Sequence, residues 1–499
     1  MSQDFVSVLP EVDDFLQRRH GMFIDGNRVA PQAGRYFDVF DPATGNVLSQ
    51  VADGDANDAE RAVLSAHRAF ASGVWSGLRP ADRERILLRL VALIEQHAEA
   101  LAQLETLNQG KSIHLSRAIE VGASIEYARY MAGWSTKLTG ETLDVSIPVP
   151  PGARYTAYTR REPIGVVAAI VPWNFPLMIA VWKVMPALAA GCTIVLKPAP
   201  ETPLTALRLA ELALEAGVPP GVFNVVTGSG PAVGQALVGS PLVGKVSFTG
   251  STAVGKQVGH AAMDNMTRVT LELGGKNPMI VLDDADLDKT IEGAMMGAFL
   301  NQGQVCAAAS RLYIQRGRFD AVVDGVEAAM RQLRLGPGMD LAAQVNPLVS
   351  ERHRRAVSQS IAGGQRQGAE LILGGNIPDR PGYFIEPALF VAPSPESALI
   401  REEIFGPVLV AIPFDDIDTA IELANDTPYG LAASVWTNDL SMAMNAVPRI
   451  QAGTVWVNSH VPVDPNLPFG GYKQSGVGRE FGRHAVEGFT ELKSICIAH

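Results

Sequence analysis

The chain has 499 residues, 47% of them apolar, with 48 glycines and 33 prolines, which excludes a disordered or fibrous protein. That length carries a prior of about three domains. Forty-one Lys and Arg against 52 Asp and Glu leave a net charge of −11, so nucleic acid and anionic membranes are not expected as partners. The three cysteines, Cys192, Cys306 and Cys496, suit a reducing compartment and form no disulfide framework.

The N-terminal MSQDFVSVLPEVDDFLQRRH carries acids where a signal peptide needs bases, and a soluble cytoplasmic protein is expected. The most apolar stretch, Ile164 to Val171, is stopped by Pro172, well short of the roughly 18 residues of a membrane span. Residues 22–52 read as short strands turning at Asp25-Gly26 and Thr44-Gly45. From Asp55 to Gln109 the pattern is helical, closed by Gly110, and another helix is predicted over Ser116 to Trp134. Residues 143–162 change character: Pro148, Pro150 and Pro151 precede an alternating ARYTAYTRRE strand with no local partner.

After Pro163 the chain alternates strand and helix, from IGVVAAIV through RVTLELGG, the signature of a parallel sheet wound on both faces. A second α/β block spans 276–480, and the tail Glu491 to Ile497 is a strand with no partner in its own block. The expected fold is α/β, with two doubly wound lobes and a small β element. Residues 1–142 and 163–274 would form the dinucleotide-binding domain and 275–480 the catalytic domain. Segments 143–162 and 481–499 would be oligomerisation strands.

Chemistry concentrates at a few turns. Cys306, in FLNQGQVCAAASR, sits on a polar turn between a helix and the strand Arg311 to Gln315, where a thiol can stay reachable. Gly250-Ser251, after a strand and before a helix, aims backbone N–H groups and a positive helix end at one spot, which suits a pyrophosphate. The same residues nearly spell a P-loop, but Gln257 replaces the Mg²⁺-binding Ser/Thr, and triphosphate hydrolysis is rejected. Gly228 heads a second glycine-rich loop, although Val233 stands where a dinucleotide fingerprint has its third glycine. Lys197 ends the strand CTIVLK at the edge where open sheets bind ligands. Glu272, between Leu271 and Leu273 and followed by Gly-Gly, is placed for desolvation to make it a general base. Asn174, inside Pro172-Trp173-Asn174-Phe175-Pro176, has the rigid setting an oxyanion donor requires.

Together these stretches resemble the aldehyde dehydrogenase superfamily. PWNFP (172–176), LKP (196–198), FTGST (248–252), LELGGKNP (271–278), FLNQGQVC (299–306), EEIFGPV (402–408) and PFGGYKQSG (468–476) occur in family order and spacing. The resemblance implies that Cys306 is the nucleophile, Glu272 the base for a deacylating water, and Asn174 with the Cys306 N–H the oxyanion hole. It implies NAD, with Lys197 at the adenosine ribose, Gly250 and Ser251 at the pyrophosphate, Glu403 and Phe405 at the nicotinamide ribose, and Trp173 and Ile170 approaching through backbone. One departure bears on the cofactor: Pro200 stands where the family commonly has a ribose-binding glutamate, and Glu201 follows one later. NADP is therefore the weaker alternative. No metal is expected.

The family's entrance tunnel maps to Phe175, Met178, Trp182, Val305, Val463 and Phe469, an apolar tube without charge. RRHGMFIDG, LNQGKSI, SRAIEVG and WVNSHVPVDPNLPFGGYKQSG are most similar to bacterial phenylacetaldehyde-oxidising members. The implied reaction is oxidation of an aldehyde, phenylacetaldehyde first, to a free acid, as in styrene or phenylethylamine breakdown. Glu272 argues against the coenzyme A-acylating branch, which generally lacks it. Other arylalkyl or aliphatic aldehydes fit the same tube, and a homo-oligomer, dimer or tetramer, is implied. The rival from another class, a cofactor-independent thiol esterase, would leave Lys197, Ser251 and Glu403 without a role.

Overall fold

The strand–helix alternation after Pro163 builds a parallel sheet, as its near-continuous apolar strands require. A computed structural model of the chain describes residues 5–391 and 395–499. Its eight-stranded sheet runs in the order Gly476–Val477, Arg268–Glu272, Val243–Thr249, Val166–Ile170, Thr193–Lys197, Phe223–Val225, Met22–Ile24, Asn27–Val29. The five strands from Arg268–Glu272 to Phe223–Val225 are parallel, and the pairings beyond them are antiparallel. Every residue of Thr193–Lys197 is buried, and so is every residue of the helix Pro176–Ala190 that covers it. Helices on both faces explain why these strands do not alternate in polarity.

The winding starts at Val166–Ile170. The next two strands are added on one side and the following two on the other. The carboxyl ends of Val166–Ile170 and Val243–Thr249 therefore diverge and leave a crevice. A seven-stranded sheet forms the second layer system, in the order Glu370–Leu373, Ala388–Val391, Val408–Phe414, Arg311–Gln315, Pro278–Val281, Ala432–Trp436, Thr454–Val457. All its pairings are parallel except at the edge strand Glu370–Leu373.

Helices Ala56–Ala71, Pro80–Gln96 and Ala98–Gln109 follow the predicted span; Asp55 and Asp58 form a reciprocal capping box, and Gly110 closes the last helix at φ 99°. The helix predicted from Ser116 departs from expectation. Ser116–Ala123 is π-helical, and regular α-helix begins only at Ser124. The wider turn keeps Ser116 and Glu120 buried on its inner side. The two strands with no local partner find each other: Thr490–Ala498 pairs antiparallel with Tyr155–Pro163 over nine residues, and Thr142–Leu143 adds a third strand. Leu143, Val145, Ile147, Tyr158, Leu492 and Ile497 on and beside this small sheet are exposed. Among the described residues no helix is long and apolar enough to cross a membrane.

Candidate active site

Strand ends deliver the candidate residues. Glu272 ends Arg268–Glu272, Gly250 follows Val243–Thr249, Asn174 lies just past Val166–Ile170, and Cys306 precedes Arg311–Gln315. They converge on a cavity of about 320 Å³ lined by Trp173, Asn174, Gly250, Ser251, Glu272, Cys306, His353, Glu403 and Phe405, among others.

Cys306 arrives by a sharp reversal. After the helix Leu287–Phe299, Asn301 (φ 48°), Gln302 (φ 56°) and Gly303 (φ 69°) are all left-handed. Two non-glycine residues there cost on the order of 1–2 kcal/mol each, so the turn must be held from outside. It is: Asn301 Nδ2 donates to the Asn174 carbonyl at 2.9 Å, Gln304 Nε2 donates to the Asn301 carbonyl at 3.0 Å, and Gln304 Oε1 accepts from the Val349 N–H. Asn277 Nδ2 donates to the Cys306 carbonyl at 2.8 Å, and His460 Nε2 lies 2.8 Å from the Ala307 carbonyl. A carbonyl only accepts, so that imidazole carries its proton on Nε2. Burial, reinforced by the Glu403 and Glu272 carboxyls, pushes the Cys306 thiol up to about 12.

Asn174 is 2% exposed. Its Nδ2 donates to the Gln304 carbonyl at 2.9 Å, while Oδ1 has no partner. The second Nδ2 hydrogen is available to the cavity. Glu272 is buried with both carboxyl oxygens unpartnered. Burial first, then the negative charge of Glu480, raises it well above the carboxylate range; Lys183 and Arg479 pull the other way. Lys183 is itself ion-paired with Glu480.

Glu403 accepts from the Gly275 N–H at 3.1 Å and is pushed up to about 7 by burial. A Cβ at Gly274 would collide with that carboxyl, so the approach needs glycine. Phe405 is held at φ 57° by His353, whose Nε2 lies 2.7 Å from the Phe405 carbonyl; the Trp173 ring is 4.8 Å from His353 and 5.3 Å from Phe405. No sequence signal singles out His353, a lone histidine in a charged helix start.

Gly250 donates its N–H to the Glu272 carbonyl at 3.0 Å, tying the loop to the end of that strand. Ser251, which lines the cavity, caps the helix Thr252–Met263, accepting from the Val254 N–H. Ile170 and Lys197 are outside the cavity lining but adjoin each other: a Cβ at Gly234 would lie 3.7 and 3.8 Å from their side chains. Lys197 Nζ donates to the Pro198 carbonyl at 3.2 Å, and burial lowers its pKa. Glu201 is ion-paired with Arg352 at 3.0 Å. Gly228 does not line the cavity; its neighbour Ser229 is bonded to Asp53.

Phe175, Met178, Trp182, Val305 and Phe469 are buried, whereas Val463 is 41% exposed. Trp182 and Val463 line a second cavity of about 620 Å³ with Tyr127, Tyr130, Gly122, Ala123 and Phe481. Glu126, Arg129 and Asp464 also line it, so this cavity is more polar than the uncharged tube expected from sequence, and Phe175, Met178, Val305 and Phe469 do not line it.

The aldehyde dehydrogenase family profile matches residues 29–495. A phenylacetaldehyde dehydrogenase of Pseudomonas fluorescens is 51% identical over 495 residues, covering 99% of this chain and 98% of that protein. Aldehyde dehydrogenase 1 of Tanacetum cinerariifolium is 42% identical, covering 95% and 94%. The solved NAD⁺ complex of an aldehyde dehydrogenase from Bacillus cereus superposes with a TM-score of 0.96 at 42% identity and covers 99% of both chains. Each similarity spans the cavity and the strands that frame it, and the chain belongs to the aldehyde dehydrogenase family.

Proposed function

We propose that this protein oxidises an arylalkyl aldehyde, phenylacetaldehyde foremost, to its carboxylate with NAD. The observation that carries the reading is one cavity lined by Cys306, Asn174, Glu272, Ser251 and Glu403 together. A thiol, an amide donor and an unpartnered buried carboxyl are the parts acyl-transfer chemistry needs. The 51%-identical relative supports phenylacetaldehyde, and the aromatic wall of Trp182, Tyr127 and Phe481 supports an aryl group.

The residues present fit NAD. Ser251 and the helix it caps offer N–H donors to a pyrophosphate, Gly274 leaves the Glu403 carboxyl open beside the cavity, and Lys197 retains unused ammonium hydrogens at the sheet edge. Glu403 would hold the nicotinamide ribose, with Phe405 beside it; Trp173 and Ile170 would approach through backbone, Ile170 on the Lys197 side, and Gly250 would frame the phosphate side. When bound, the nicotinamide supplies the hydride acceptor.

The chain's own residues do the rest. Before substrate enters, a thiol held near 12 stays protonated and protected. Cys306 then gives its Sγ proton to the Glu272 carboxylate, which passes it to solvent, and as thiolate Sγ bonds the aldehyde carbon while the carbonyl π pair moves to oxygen. Asn174 Nδ2 and the Cys306 N–H hold that oxyanion; one such donor is worth about 3–4 kcal/mol. After oxidation a thioester remains on Sγ. Glu272 takes a proton from water, the water oxygen bonds the acyl carbon, and the C–S bond breaks to release the acid and thiolate. The product is therefore a free acid.

The finer assignments follow from the same reading: residues 1–142 with 163–274 as the cofactor-binding unit, 275–480 as the catalytic unit, and the paired strands of 143–162 and 481–499 as a homo-oligomer surface in a cytoplasmic catabolic enzyme. The test is a panel of specificity constants for arylalkyl, aliphatic and amino-aldehydes with NAD and NADP, following reduced nicotinamide. Phenylacetaldehyde with NAD should rank first. A higher constant for short aliphatic or amino-aldehydes would refute the substrate assignment, and turnover of esters alone would refute the reaction.

A further inference from the structure

The loop carrying Asn174 hangs from a buried charged cluster that the reaction does not use. Helix Ala98–Gln109 ends at Gly110, whose left-handed φ of 99° turns Lys111 beneath the loop. Lys111 is 0% exposed. Its Nζ donates to Glu120 and, at 2.8 Å, to the Asn174 backbone carbonyl, and lies 4.3 Å from the centre of the Phe175 ring. Glu120, also fully buried, comes from the π-helical stretch, and its other oxygen accepts from the Met178 N–H at 2.8 Å. Glu105 accepts from the Leu177 N–H at 3.0 Å. Helix Pro176–Ala190 has no side-chain cap of its own, so these two carboxyls satisfy its first turn.

A buried ion pair adds little net stability, and apolar groups of equal volume often replace it without loss. What this one supplies is direction. The Asn174 carbonyl accepts from two donors, Lys111 Nζ and Asn301 Nδ2, which uses both its lone pairs and fixes the peptide plane. Asn301 belongs to the turn that presents Cys306. We infer that Lys111, held in place by Glu120, is a positioning residue that aims the Asn174 side-chain amide at the carbonyl oxygen bound on Cys306. The inference rests on the assignment of Asn174 as oxyanion donor. Lys111 does not line the cavity; it acts through the Asn174 backbone. A donor displaced by about 1 Å loses on the order of a hundredfold in rate.

The test is a double-mutant cycle in the full-length protein. Lys111→Met keeps length and loses the donor. Lys111→Met should lower single-turnover aldehyde oxidation by roughly 10- to 100-fold, and Asn174→Ala by about 100- to 1,000-fold. The double variant should be no slower than Asn174→Ala alone. Alkylation of Cys306 by iodoacetamide, which develops no oxyanion, should proceed at the parent rate in Lys111→Met, with NAD affinity unchanged. Lys111→Arg should recover most of the loss. Equal factors for Lys111→Met in both backgrounds, or a parallel fall in alkylation, would overturn the inference and leave a merely structural lysine. Parent-level turnover in Asn174→Ala would instead overturn the oxyanion assignment itself. Should Lys111→Met fail to fold, Glu120→Gln, which keeps the shape but offers one acceptor oxygen to the two donors Lys111 Nζ and the Met178 N–H and removes the charge, carries the same cycle with the same expected and refuting results.

Discussion

Replacing Glu272 by glutamine separates the two half-reactions. Both carboxyl oxygens lack partners, so the amide breaks no bond, and Gly470, where a Cβ would stand 2.8 Å from Oε1, leaves room for it. Burial raises the carboxyl well above its ordinary range, and glutamine, neutral and of the same shape, should change folding little. Deacylation, however, loses its base, and positioned proton transfer is worth about a hundred- to ten-thousandfold. Stopped-flow mixing of Glu272→Gln with aldehyde and NAD should show a burst of reduced nicotinamide approaching one equivalent per active site, then a steady rate slower by that factor. Intact mass should show an acyl adduct on Cys306, and the parent's rise in steady rate with pH through the Glu272 titration should be absent. A linear trace at the parent rate, with no adduct, would refute the assignment of Glu272 as the base.

Cys306→Ala should abolish oxidation while NAD still binds, measured by calorimetry and turnover; residual activity near the parent's would contradict the thiol mechanism. His460, buried behind the Ala307 carbonyl, is pushed down to about 4 from 6.5. Its folded pKa is depressed, so its contribution is complete above 6.5 and is lost as pH falls through 4; the difference is on the order of 3 kcal/mol. Urea melts across that range should lose a matching part of their pH dependence in His460→Gln, and identical slopes in parent and variant would exclude it. Pro200→Glu should raise the ratio of NAD to NADP specificity constants by about tenfold or more, since a carboxylate would then face the 2′-phosphate; an unchanged ratio would show that this loop does not meet the ribose.

How much of this was legible in the chain follows from which forces act locally. Strand ends were readable because β-branched runs and the turn residues after them are local signals, and Glu272, Gly250 and Lys197 lie at or just past such ends, whereas Cys306 was legible as a polar turn between a helix and a strand. The pairing of Tyr155–Pro163 with Thr490–Ala498 was not readable from either segment, because partners more than 300 residues apart leave no periodic trace. The π-helical turn at Ser116–Ala123 follows from buried Glu120, whose partners come from two other elements. His353 was invisible for the same reason: what identifies it is contact with Trp173 and Phe405, not its neighbours in sequence. The charged Glu126, Arg129 and Asp464 escaped because two come from a helix and one from a distant loop.

The hydrogen bonds of the site divide its residues by what each must do. Asn174 and the Cys306 turn are bound to one another twice, through Asn174 Nδ2 to the Gln304 carbonyl and Asn301 Nδ2 to the Asn174 carbonyl, so the proposed oxyanion donor and nucleophile keep one geometry. An oxyanion hole depends on that constancy, since its donors must already be in place as charge develops. Glu272 is the opposite case, with neither oxygen bonded and a glycine at its tip. In the proposed role, a base that must leave room for the incoming aldehyde and later reach a water gains nothing from being tethered, and a hydrogen-bond donor strong enough to fix it would also lower its pKa. Burial without a hydrogen bond, which elsewhere in a fold is only a cost, is in the proposed mechanism the condition for a carboxyl basic enough to take a proton from water.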